Sequence, residues 1–130
     1  MKFVISIAVI VLALSGVFFV VHNKSSTTNS SQQLTFQTVQ SDLSAGAQLI
    51  DVRTAAEYAS GHIHGATNFS LQDMQVGKLP AASKDKTIYV YCHSGNRSSQ
   101  ATAILKKAGF TVVDLGAINH VQSIGGTITT

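Results

Sequence analysis

From Phe3 to Val21 every residue is apolar or small (FVISIAVIVLALSGVFFVV), and this run limits how much of the chain can fold in water. As a helix rising about 1.5 Å per residue it would reach nearly 30 Å, the depth of a bilayer's hydrocarbon core. A buried soluble helix is the poorer reading, because no polar face interrupts the run. We read residues 1–22 as an N-terminal membrane anchor, with residues 3–21 crossing once. The alternative is a cleaved secretory signal, with Lys2 as the charged start and Ala13-Leu14-Ser15 as the cleavage site. Cleavage there would leave Gly16 to Val21 as an exposed apolar terminus. A charged start and a short N-terminus place the rest of the chain outside the cytoplasm, as a domain held at the cell membrane or, after cleavage, secreted or periplasmic.

Residues 23–33 (NKSSTTNSSQQ) offer nothing to bury and read as a polar, flexible linker. The folded domain is then residues 34–130, room for one small core. Lys2 and Lys24 supply two units of the net charge of +3 and leave +1 for the rest. Lys84-Asp85-Lys86 and Lys106-Lys107 suit a solvated loop and a polar helix end rather than a phosphate-binding face, so no nucleic-acid partner is expected. The single cysteine excludes an intramolecular disulfide, a Cys-x-x-Cys pair and a sulfur-rich metal site within one chain. The expectation is a monomer without metal or other cofactor.

Short β-rich runs alternate with helical stretches through the domain. The strands are expected at Thr35–Gln37, Gln48–Val52, Ala66–Phe69, Thr87–Cys92 and Val112–Leu115, and the helices at Val39–Ala45, Ala55–Ala59, Leu71–Val76, Ser99–Ala108 and Ile118–Ser123. Thr54-Ala55-Ala56-Glu57 reads as a capping box, and Gly109 after Lys106-Lys107 as a helix stop. This order predicts an α/β fold: a three-layer sandwich whose central, mostly parallel sheet is flanked by helices.

The chemistry concentrates in Thr87 to Ser99 (TIYVYCHSGNRSS), where a buried-type strand stops at Cys92 and a polar loop leads into a helix. Ligands of parallel α/β folds gather at the carboxyl ends of strands, where the next helix turns its unpaired N–H groups outward. A lone cysteine is by default a small hydrophobe. Here the amides and the nearby charge of Arg97 favour its thiolate, and Gly95 lets the loop turn tightly enough to aim amides inward.

Cys92 and Arg97, with four residues between them, resemble the active-site loop of the rhodanese family. Asp51-Val52-Arg53, Glu57-Tyr58, Gly61-His62-Ile63, Gly65-Ala66 and Asn68 resemble the family's upstream pattern, and Val113-Asp114-Leu115-Gly116 its last strand. The likeness runs from about Leu34 to Val121. It implies a sulfurtransferase that takes a sulfane sulfur from a small donor such as thiosulfate, holds it as a Cys92 persulfide, and passes it to a thiol or cyanide. Cys92 and Arg97 would be catalytic, with His93, Ser94, Gly95, Asn96 and Ser98 around the bound sulfur. Related phosphatase and arsenate reductase loops are one residue longer, which suits a tetrahedral oxyanion better. A noncatalytic binding or regulatory module is the other alternative, and retention of Cys92 and Arg97 argues against it.

Asp51 and Arg53 could support the site but read first as an ion pair or a cap. His62-x-His64 has metal-ligand spacing without an accompanying carboxylate or thiol. His93 could add a proton or a charge beside the nucleophile. The family's Trp near its closing Gly-Gly-Ile is replaced by Gly116-Ala117-Ile118-Asn119-His120-Val121, which touches donor choice. Ser123 to Thr130 is expected to fray.

Overall fold

The structure is a computed structural model that describes residues 33–130. The expected anchor and all of the expected linker except Gln33 lie outside these residues; among the described residues no helix is long and apolar enough to cross a membrane. The elements run α1 (Phe36–Ser44), β1 (Gln48–Asp51), α2 (Ala55–Ser60), β2 (His62–Ile63), β3 (Thr67–Asn68), α3 (Leu71–Gln75), β4 (Thr87–Cys92), α4 (Asn96–Lys107), β5 (Thr111–Ala117), α5 (Ile118–Ser123) and β6 (Ile128–Thr129).

Four strands form a parallel sheet in the order β3-β1-β4-β5. Side chains alternate across it, as the pleat requires. Ile50, Ile88, Val90 and Cys92 pack with Met74 of α3 and Ala101 and Leu105 of α4 on one face. Leu49, Tyr89 and Tyr91 pack with Phe36 and Val39 of α1 and Val121 of α5 on the other. The three-layer α/β sandwich with a parallel centre is therefore the observed architecture. At about 25 cal/mol per Å² of apolar surface removed from water, these two cores supply the main drive to fold.

Three local expectations are corrected. Thr35–Gln37 is no strand: Thr35 is extended (φ −110°, ψ 155°) and accepts the Thr38 amide, so it caps α1. Phe36 and Val39, three apart, are the buried positions of that helix. The helix after Cys92 starts at Asn96 rather than Ser99. The tail does not fray. β6 pairs antiparallel with β2, matching His62 to Thr129 and Ile63 to Ile128, and the His64 amide donates to the Thr127 carbonyl at 2.8 Å. Gly126 permits close packing here: a β-carbon on it would stand 2.8 Å from the Val121 carbonyl oxygen. The Phe36 amide donates to the Ile124 carbonyl at 2.9 Å, which ties the start of α1 to the end of α5.

Candidate active site

Cys92 ends β4, the strand paired with β1 on one side and β5 on the other, and it is fully buried. Beyond it the chain turns at Gly95, whose φ of +96° is a left-handed conformation that glycine adopts without steric cost. This turn brings the Gly95 amide back to donate to Cys92 Sγ at 3.0 Å. Ser98, in the first turn of α4, is buried, and its hydroxyl donates to the Gly95 carbonyl at 2.9 Å. Burial pushes the Cys92 thiol up, but hydrogen bonding from the Ser98, Gly95 and Ser94 amides outweighs it, leaving the thiol below its ordinary value.

β5 is shaped to meet this loop. Its register with β4 jumps from Val90 opposite Asp114 to Tyr91 opposite Gly116, so Leu115 is an extra, bulged residue. The Asp114 carboxylate accepts the Gly116 amide at 2.8 Å, and the Gly116 carbonyl comes within 3.4 Å of Ser98 Oγ. The bulge thus delivers a backbone oxygen to the hydroxyl that braces the loop.

Arg97 lies half-buried and donates through both terminal nitrogens to Glu57, at 2.7 and 2.8 Å. Glu57 is the far end of the capping box and also accepts the Thr54 amide and hydroxyl, at 3.0 and 2.9 Å. The hydrogen bonds from Arg97 hold the Glu57 carboxyl well below the usual carboxylate range despite desolvation. The sequence marks Glu57 as a helix cap; its second partner, forty residues onward, carries no local signal. Arg97 remains near enough for a Cys92 thiolate to raise its own pKa further.

The other expected residues divide between rim and frame. His93, Ser94 and Asn96 are exposed, and the Asn96 side chain accepts from Gln100 one helical turn on at 2.8 Å. Asp51 and Arg53 form the anticipated ion pair, buried, at 2.6 Å. Arg53 also donates to the Gly61 carbonyl at 2.7 Å, and Asn68 donates to the carbonyls of Asp51 and Arg53. The Tyr58 hydroxyl donates to the Ala66 carbonyl, and the His62 ring stacks on the Tyr58 ring with centroids 3.7 Å apart. Tyr91, unremarked in the sequence, accepts the Ile63 amide on its hydroxyl at 3.0 Å. The upstream motifs are therefore one connected frame behind β1 and β4. A surface cleft of about 450 Å³ beside Leu43, Leu49, Phe69 and Pro80 has, among the described residues, no ionisable side chain in its lining and shares no residue with the Cys92 loop.

Comparison with known proteins gives the family of the domain. Residues 35–119 match the family described as Rhodanese-like domain. The thiosulfate sulfurtransferase PspE of Escherichia coli is 36% identical over 84 residues, covering 63% of this chain and 72% of PspE. YqhL of Bacillus subtilis, an uncharacterized protein, is 42% identical over 67 residues, and the chain spans about half of that relative (52%). Among solved structures, the Alr3790 protein of Anabaena superposes with a TM-score of 0.61 at 30% identity over 72% of this chain and 77% of its own. The rhodanese-related protein of Thermoplasma volcanium, at 23% identity and a TM-score of 0.60 over 75% of this chain and 96% of its own, shares the fold. With its sheet order, its Cys92 loop and the match spanning most of the folded residues, the chain belongs to the rhodanese-like domain family.

Proposed function

We propose that this protein is a sulfurtransferase that carries a sulfane sulfur on Cys92. The observation that carries the reading is the Cys92 sulfur itself, at the end of a buried strand, under the Gly95 amide at 3.0 Å, with its thiol favoured toward thiolate. Thiolate rather than thiol is the nucleophile. With thiosulfate as donor, Cys92 attacks the outer sulfur; the bond between that sulfur and the sulfonate breaks, and its electron pair leaves with sulfite. The enzyme keeps a Cys92 persulfide. A cyanide or thiolate acceptor then attacks the terminal sulfur, and the pair of the Cys92 sulfur–sulfur bond returns to Cys92 as thiolate.

In this reading the amides of Ser94, Gly95 and Ser98 stabilise negative charge on the sulfur, as preorganised donors do for an oxyanion, while the Ser98 hydroxyl braces the loop through the Gly95 carbonyl. Arg97 holds the loop, while His93, Ser94 and Asn96 line the rim that a donor crosses. The family likeness to PspE supports the sulfur chemistry. We also propose that residues 3–21 hold the domain at the cell membrane, a reading supported by the length and apolar character of that run, and on its extracytoplasmic side, a reading supported by Lys2 and the short segment ahead of it.

The full-length chain in detergent is expected to form thiocyanate from thiosulfate and cyanide, and Cys92→Ser to abolish it. The intact mass should rise by one sulfur after donor and return after cyanide. Absence of that adduct with every sulfane donor tried overturns the proposal. Protease added to intact cells should digest the domain if it lies outside.

A further inference from the structure

Arg97 is the only Lys or Arg between Cys92 and Ser98, and its charge is already matched. Both terminal nitrogens sit on Glu57 at 2.7 and 2.8 Å. Glu57 is fixed in turn by the Thr54 amide and hydroxyl, so its carboxylate belongs to the start of α2 and does not swing free. Asp51 and Arg53, near enough for their charges to bear on this pair, cancel each other at 2.6 Å. Among the described residues, the loop therefore meets negative charge with dipoles, the Gly95 amide first among them, and with no net positive charge.

That matters for the donor. A Cys92 thiolate with thiosulfate brings together three negative charges, whereas a thiosulfonate or a persulfide anion brings two. We propose that Glu57 is a positioning and specificity-determining residue. By its fork with Arg97 it keeps the loop's cation from the donor, and so biases the site toward donors with a single negative charge, the thiosulfonate and persulfide class, over dianionic thiosulfate. The inference rests on the reading of Cys92 as the sulfur carrier. With a thiosulfonate the transfer balances: Cys92 takes the outer sulfur as a persulfide anion, and the sulfur–sulfur bond of the donor leaves its electron pair on a sulfinate.

The test compares thiosulfate with methanethiosulfonate on the full-length chain in detergent, wild type and Glu57→Gln. Glutamine also serves at this capping-box position and keeps an acceptor for Arg97 while removing the charge. The ratio of kcat/KM for thiosulfate to that for methanethiosulfonate should rise about fivefold, the effect of one unit charge in a partly solvated site, mainly through KM. In the double variant Arg97→Gln, Glu57→Gln the ratio should return toward wild type. An unchanged ratio in Glu57→Gln, with kcat lowered equally on both donors, makes Glu57 a structural clamp alone and overturns the inference.

The wild type gives a second measurement that needs no folded variant. Its kcat/KM for thiosulfate should rise with ionic strength, because salt screens repulsion between the thiolate and a dianion. A flat or falling dependence, as a free Arg97 would produce, overturns the inference too. If a Cys92 persulfide forms while neither measurement behaves as expected, only the role of Glu57 falls. If no persulfide forms, the sulfurtransferase reading falls with it.

Discussion

Gly95 and Gly116 face each other so closely that a β-carbon on Gly95 would stand 3.7 Å from the Gly116 Cα. That is ordinary contact distance, so space alone does not demand glycine at 95. Its φ of +96° does. The two glycines bring the loop after β4 and the bulge in β5 into register, with the Ser98 hydroxyl between their carbonyls.

Gly95→Ala is accordingly expected to cost about 1–2 kcal/mol through backbone strain. Its larger effect falls on the sulfur, because relief of the strain turns the Gly95 amide away from Cys92. Thermal unfolding should show a modest loss, and iodoacetamide alkylation against pH a Cys92 thiol shifted upward.

The lowered Cys92 thiol makes stability depend on pH with a definite sign. The folded state favours the thiolate, so this contribution is complete above the unfolded thiol value of about 8.5 and is lost as pH falls through the folded value. Urea unfolding of wild type and Cys92→Ser should therefore diverge in favour of wild type as pH rises through that window, then run parallel.

The Asp51–Arg53 pair is buried on both sides. Asp51→Asn leaves a buried guanidinium without its counter-charge and is expected to destabilise the domain by about 3–5 kcal/mol. Arg53→Met should cost a similar amount, and the double replacement much less than the two together, as a double-mutant cycle by urea denaturation would report.

Removal of residues 127–130 takes away β6 and the carbonyl that accepts the His64 amide. A loss of about 1–3 kcal/mol is expected from the backbone hydrogen bonds to β2 that are exchanged for water and from reduced cover over Ile63. The alkylation profile of Cys92 should stay as in the full chain, which separates this strap from the site.

The sheet and the nucleophile were legible because their signals are local. Thr87 to Cys92 is a continuous β-rich run, and Gly95 and the helix after it announce the turn. Thr35-Phe36-Gln37 misled because the β-prone pair Thr35 and Phe36 weighs the same whether it begins a strand or, with Thr35 as cap, a helix; what decides is burial of Phe36 against Ile124 and its neighbours. The ordered tail was hidden for the same reason, since β6 exists only where β2 offers an edge. Glu57 shows the limit most clearly. Its capping role is written four residues wide, while its contact with Arg97 is a product of the fold.

The bond from the Phe36 amide to the Ile124 carbonyl joins the start of α1 to the residue that ends α5. Beyond it the chain runs on into β6, which is held by β2. The first helix and the last helix and strand are thus each tied to a distant part of the chain, so neither end can open without giving up contacts made elsewhere. The Cys92 loop gains from that closure, since α2, β4, α4 and the bulge of β5 all lie between the strapped elements.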